Sequence, residues 1–181
     1  MLIYDEIYNT ALYLKRKHNT SNPKQILEDR GVFIIPFRSK TKLLGMYTVI
    51  KRNRFVFYNP NVNDNMLRMI FAHELGHDLL HRKEAKSHQL HEFELFDVNS
   101  MMETEANLFA CHLLIDEDEL QSLASLGYTY DQISSKLRVN INLLLYKISE
   151  MNRRGKSYNL SNTINNKFFT NLDDKDIKDF D

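Results

Sequence analysis

Apolar and polar positions follow two different periods along the chain, and each change of period marks an element. Over residues 2–17, Ile3, Ile7, Leu12 and Leu14, with Tyr4, Tyr8 and Tyr13 around them, predict a helix with one buried side. The turn signal Ser21-Asn22-Pro23 then introduces a short helix at 24–30. It stops at Gly31, a residue suited to the left-handed cap at a helix C-terminus. Runs at 32–36, 43–50 and 55–58 are dense in β-branched and aromatic residues, and the polar stretch 51–54 reads as a turn between the last two. After Asn59-Pro60-Asn61 the period becomes helical from 63 to about 81. Apolar residues there occupy nearly every angle around the axis, which predicts a helix running through the interior. A polar stretch at 82–100 reads as a loop, and helical patterns resume at 101–115, 117–126 and 130–151.

These elements predict an α+β fold: a small, mostly antiparallel three-stranded sheet packed against a helical core, followed by a helical C-terminal part. At 181 residues the chain suits one domain, expected to span 1–154 and to include a helix-turn-helix-like part at 128–151. Residues 155–181 are rich in Asn, Asp and Lys, lack a clear period and are expected to be a flexible tail.

Charge and cysteine content narrow the setting. Lys plus Arg and Asp plus Glu both number 24, so no net field draws the chain to nucleic acid or to an anionic membrane. Apolar runs fall far short of the roughly 20 residues that span a bilayer, and the N-terminus has neither the basic start nor the apolar run of a signal peptide. The single cysteine, Cys111, rules out an internal disulfide and suits a reducing compartment. The expectation is a cytoplasmic protein with no membrane partner.

Candidate chemistry lies in the interior helix, at His73-Glu74-Leu75-Gly76-His77. Two histidines four residues apart project from one helix face about a turn apart, which suits two nitrogen ligands of one ion. Glu74 is rotated about 100° from His73, so its carboxylate flanks that ion and can work as a general base. The competing reading is a buried helix whose histidines donate to backbone carbonyls and whose Glu74 pairs with a base such as Arg68. A catalytic zinc needs a third protein ligand, and Met101-Met102-Glu103-Thr104-Glu105-Ala106-Asn107 offers Glu103 on a second helix. Asn107, at i+4 on the same face, is placed to hydrogen-bond a ligand, whereas Glu105 is rotated some 200° from Glu103 and is expected to point elsewhere. Gly76, costly in a helix, is expected where another element approaches closely.

With both helices in view, the chain resembles the ImmA/IrrE metallopeptidases over about residues 1–150. The likeness is carried by Gly45-Met46-Tyr47, the run from Phe55 to Asn59, and His73-Glu74-Leu75-Gly76-His77-Asp78-Leu79-Leu80-His81. It extends through Glu103-Thr104-Glu105-Ala106-Asn107-Leu108-Phe109-Ala110 to Leu113-Leu114. It departs at Ile115-Asp116, where that family usually reads Met-Pro, at the helix exit and away from the metal. The resemblance implies a Zn2+ ion held by His73, His77 and Glu103, with Glu74 as catalytic base. It also implies a protein substrate, a helix-turn-helix repressor whose cleavage releases silenced mobile-element or phage genes. His81 belongs to the pattern and is expected to support the site without binding the ion.

Oxyanion donors remain open among Tyr58, His88, His91 and Tyr128. The strand at 43–50 is expected to grip an extended substrate by its edge. A different function class comes from the cadence of 130–148, which suggests a DNA-binding helix-turn-helix. Its second helix, Asn140-Ile141-Asn142-Leu143-Leu144-Leu145-Tyr146-Lys147, is too aliphatic for a recognition helix and is expected to pack inward, so direct DNA binding is not expected. The third class is a metal-binding regulator or anti-repressor that acts by binding without proteolysis.

Overall fold

Seven helices and four strands follow one another in the computed structural model, which describes residues 2–86, 90–92 and 100–156, the stretch 90–92 through its backbone. Helix α1 (Leu2–His18) buries Ile7, Ala11 and Leu14, spaced i, i+4 and i+7, and packs on α4 (Met101–Leu114); Ile3 stays 46% exposed. Helix α2 (Pro23–Asp29) starts on the side chain of Asn22, which accepts from the amides of Lys24 and Gln25. It ends at Arg30 before Gly31, whose φ of 74° meets the expected left-handed cap.

Strands β1 (Phe33–Pro36), β2 (Gly45–Ile50) and β3 (Asn53–Tyr58) form where the β-rich runs lie. The fold is α+β, and the sheet order is β1-β3-β2-β4. Three details differ from expectation. Strand β1 pairs with β3 in parallel, Phe33 opposite Phe55 and Pro36 opposite Tyr58. The fourth strand, β4 (Leu90–Glu92), comes from the stretch read as loop and pairs antiparallel with Gly45–Tyr47. The turn between β2 and β3 is also tighter than 51–54. It consists of Lys51 and Arg52, at φ 48° and 72°, while Asn53 and Arg54 join the ladder opposite Ile50 and Val49. Positive φ at both central positions is what a two-residue turn of type I′ requires, and the pairing beyond it overrides the weak strand preference of Asn and Arg.

Helix α3 (Asp64–Leu80), capped by Asn63, is the interior helix, buried without a break from Met69 to Asp78. Its closest neighbour is α4, which is buried from Glu105 to Leu114. The reason for Gly76 lies at this crossing: a Cβ there would sit 3.0 Å from Ala106 Cα and 3.2 Å from its carbonyl oxygen. Side chains larger than hydrogen would push the two helices apart. On the other flank of α3, the fully buried Asp78 accepts from Tyr47 (2.8 Å), Arg54 (3.0 Å) and Arg30 (3.0 Å), which fastens the β2–β3 hairpin and the end of α2 to the helix.

Helices α5 (Glu117–Ser125), α6 (Tyr130–Leu137) and α7 (Ile141–Arg153) follow. Every residue of α7 from Leu143 to Ile148 is buried, and Lys147 turns inward, its Nζ 3.0 Å from Glu117 Oε1 and 3.2 Å from His112 Nδ1. This is a packing helix, with the cation a DNA reader would need spent inside. The chain groups into a compact unit at Met1–Glu150 and a second at Met151–Asp181. The expected flexible tail falls, from residue 157 onward, outside the described residues. Among the described residues, no helix is long and apolar enough to cross a membrane.

Candidate metal centre

His73 and His77 stand one turn apart on α3, and Glu103 reaches them from the first turn of α4. Ser100 caps that helix by accepting from the Glu103 amide at 3.2 Å, which sets Glu103 where the positive end of the helix favours a carboxylate. His73 Nε2 lies 3.0 Å from His77 Nε2 and 3.0 Å from Glu103 Oε2, and His77 Nε2 lies 3.5 Å from Glu103 Oε1. Among the described residues, these three form the group able to share an ion. Zinc bound tetrahedrally at about 2.0–2.1 Å requires ligand atoms about 3.3 Å apart. The separations, two of them to different oxygens of Glu103, fall on both sides of that value, so the donor set suits a metal ion such as zinc.

The electrostatics agree with that fit. Burial lowers the His77 imidazole to about 4, against the pull of Glu103, so it is neutral near pH 7 with a lone pair to offer. Burial alone would raise the Glu103 carboxyl, but hydrogen bonds from His73 and His77 outweigh it and hold the group well below the usual carboxylate range. Imidazole nitrogens with an anionic oxygen are what a divalent ion of intermediate softness takes. The Glu103 side chain keeps 18% of its surface exposed while the His73 side chain has none, so the centre meets solvent on the α4 side.

Around the cluster, Asn107 Oδ1 accepts from His73 Nδ1 at 2.8 Å. His81 Nδ1 lies 2.9 Å from His77 Nδ1, so His81 touches His77 without joining the cluster. The residue that sequence reasoning set aside is Glu105. It points away from the cluster, as expected, yet its Oε2 lies 2.8 Å from His81 Nε2 and continues the chain of contacts. The signal was present in the repeated Glu-x-Glu, but His81 had first to be placed beside α4.

Glu74 is buried, and Gly45 explains how its carboxylate fits. A Cβ at Gly45 would overlap Glu74 Oε1 and stand 2.9 Å from Ile70 Cγ2. The bare backbone at the start of β2 is therefore the wall against which the carboxylate rests. Arg68, weighed above as a partner for Glu74, donates instead to the carbonyls of Leu114 (3.0 Å) and Leu137 (3.3 Å) at the ends of α4 and α6.

Other expected site residues are distributed unevenly. Tyr58, opposite Gly45 in the ladder, meets Phe71 edge-on at 5.2 Å and lines a cavity of about 640 Å³ with Leu67, Arg68 and residues 20–24 at the start of α2. Tyr128 stacks under Lys136 Nζ at 4.7 Å, a contact within the 128–137 segment. His88 lies outside the described residues, as does the side chain of His91. Strand β2 does not offer the expected free edge at Gly45–Tyr47, because β4 occupies it.

Comparison with known proteins bears on the same stretch of chain. Residues 27–149, more than half of the sequence, match the peptidase family model described as the IrrE N-terminal-like domain. A protein of Bacillus phage phi105, called uncharacterized immunity region protein 2, is 32% identical over 121 residues, which cover 67% of this chain and 75% of that one.

Proposed function

Because the chain belongs to the peptidase family of the IrrE N-terminal-like domain, we propose that it is a zinc-dependent endopeptidase. In this reading it acts in the cytoplasm on a helix-turn-helix repressor and releases genes that the repressor holds silent. The observation that carries the reading is the convergence of His73, His77 and Glu103 at zinc spacing, with Glu74 held beside them by Gly45. The name of the phage phi105 relative ties a similar chain to an immunity region, which is where a repressor target would be encoded.

In this proposal His73, His77 and Glu103 hold the ion, which when bound supplies Lewis acidity toward a water and the scissile carbonyl. Everything else is the work of the chain. Glu74, backed against Gly45 and unable to retreat, takes the water proton on its carboxylate and delivers it to the leaving amine. Asn107 and His81 keep the two imidazoles turned so that Nε2 faces inward. The Nε2–Nε2 approach and the buried walls of α3 and α4 exclude bulk water from the inner side, so substrate enters on the α4 side that Glu103 leaves open. Among the described residues the sheet ends at β4 on the side of Gly45, and an extended peptide would add there and not to Gly45–Tyr47 of β2.

A purely binding anti-repressor would need the repressor contact and not the carboxylate. Glu74→Gln separates the two: retained derepression in cells by the variant would favour binding, and its loss with zinc still bound would favour catalysis.

A further inference from the structure

Positive and negative charges balance over the whole chain, but not over the sheet. Residues 30–63 hold seven Lys and Arg and no Asp or Glu. Arg30 and Arg54 turn inward to the buried Asp78. The remaining five, Arg38, Lys40, Lys42, Lys51 and Arg52, are exposed, and among the described residues no carboxylate pairs with them. The same part of the chain carries a row of phenylalanines. Tyr47 reaches Asp78 on α3, and its ladder partner Val56 is fully buried, so this face of the sheet packs on the helix. Phe55 and Phe57 flank Val56 and point to the opposite face, with Phe33 beside Phe55. Their rings stack in the order Phe33, Phe55, Phe57, Phe37, at centroid distances of 5.3, 6.1 and 6.1 Å and with planes within 25° of parallel. Phe33 is 54% exposed, and Ile50, on the same face, is 46% exposed. Strand β1, which carries Phe33, ends the sheet and has a neighbour on one side only among the described residues.

We propose that the β1 edge and this outer face form a docking site for an acidic, extended segment of polypeptide, on the side of the sheet away from Glu74. The segment adds as a strand to β1, lays alternate apolar side chains on the phenylalanine row and turns its carboxylates to the cations of residues 38–42 and 51–52. Three observations select this occupant. Unpaired main-chain groups along an edge strand match those of another strand. Cations without interspersed acids attract an acidic partner and repel a second copy of the same face. The rings turn their faces to one another and leave edges outward, which suits aliphatic side chains, whereas single-stranded nucleic acid stacks its bases on open ring faces. The repressor named above as substrate supplies the segment; that identity rests on the peptidase reading, and the docking itself does not.

The test is fluorescence anisotropy of the full chain with a labelled dodecapeptide of alternating Glu and Val, beside a Lys-Val peptide and an oligothymidine of the same length. The Glu-Val peptide is expected to bind, more weakly as salt rises and equally with and without chelator. Arg38→Glu combined with Lys40→Glu should weaken it about 10-fold by reversing two exposed charges. Phe33→Ser should weaken it about 10-fold by removing apolar surface that docking covers. Lys17→Glu, an exposed cation on α1, should leave it unchanged. A thermal melt checks that each variant is folded. In repressor cleavage, Phe33→Ser and the charge-reversed variant should raise KM with kcat unchanged. A wild type that ignores the Glu-Val peptide or binds the Lys-Val peptide as tightly would overturn the proposal. So would oligothymidine binding tighter than the peptide, undiminished peptide affinity in the folded variants, or an unaltered KM. Peptide docking by a wild type that cleaves no repressor would instead refute the peptidase reading alone.

Discussion

Gly45→Ala adds three hydrogens and one carbon at a place where the structure has no room. The new methyl would overlap Glu74 Oε1, stand 3.2 Å from Glu74 Cδ and lie 2.9 Å from Ile70 Cγ2. Ordinary contact between such atoms is about 3.5–4.0 Å, so relief requires a shift of roughly 1 Å. Strand β2 is held on both sides by β3 and β4, so the side chain of Glu74 is the part that yields. A reacting group misplaced by about 1 Å costs on the order of 100-fold in rate, or about 2.7 kcal/mol of barrier. Strain in the fold adds about 1–3 kcal/mol of lost stability. The three atoms nearest the methyl belong to Glu74 and Ile70, not to His73, His77 or Glu103. The expected outcome is therefore a folded protein with wild-type zinc affinity and kcat/KM for repressor cleavage reduced about 100-fold. Zinc content by mass spectrometry, a thermal melt and a timed cleavage assay read the three quantities. A Gly45→Ala protein that cleaves at the wild-type rate would refute the idea that this glycine seats the catalytic carboxylate.

Three further outcomes follow from the packing. Gly76→Val forces branched carbon against the Ala106 backbone, and should cost about 3 kcal/mol or more in urea unfolding while weakening zinc binding, because it separates the helix of His73 and His77 from that of Glu103. Asp78→Ala leaves the buried Tyr47 hydroxyl without its acceptor and Arg30 and Arg54 without their anion; breaking such a pair typically costs about 3–5 kcal/mol, here near 3 because both arginines keep about a fifth of their surface in water. A stability loss below 1 kcal/mol would show that the cluster is not the clasp described. Removing zinc with a chelator should lower the melting temperature and abolish cleavage together, and adding zinc back should restore both; by linkage the stabilisation at a hundredfold excess over Kd is about 2.7 kcal/mol.

The parts of the site that could be read from sequence are those governed by helix geometry alone. His73 and His77 share a face because they are four apart, Glu74 flanks them because it is one residue on, and Asn107 follows Glu103 by one turn. Gly76 announced a close approach, and Ala106 supplies it. What could not be read depends on how elements meet in space. The contact of Glu105 with His81 appears only when α4 is set beside the end of α3. The importance of Gly45 could be seen in a motif, but its cause, the Glu74 carboxylate, comes from an element 29 positions away in the chain. Strand β4 escaped notice because Leu90–Glu92 has little strand character of its own and is ordered by pairing with Gly45–Tyr47. The same pairing removed the edge first assigned to substrate.

The central claim is that His73, His77 and Glu103 hold a zinc ion beside Glu74 for proteolysis. Its most direct test is to incubate the purified chain, and its Glu74→Gln variant, with the repressor encoded beside its gene, with and without chelator, and to weigh the products. The account predicts one zinc per chain in both proteins, and discrete repressor fragments from the wild type alone, absent when chelator is present. Fragments from Glu74→Gln at the wild-type rate, or cleavage by wild type that is indifferent to the chelator, would contradict it.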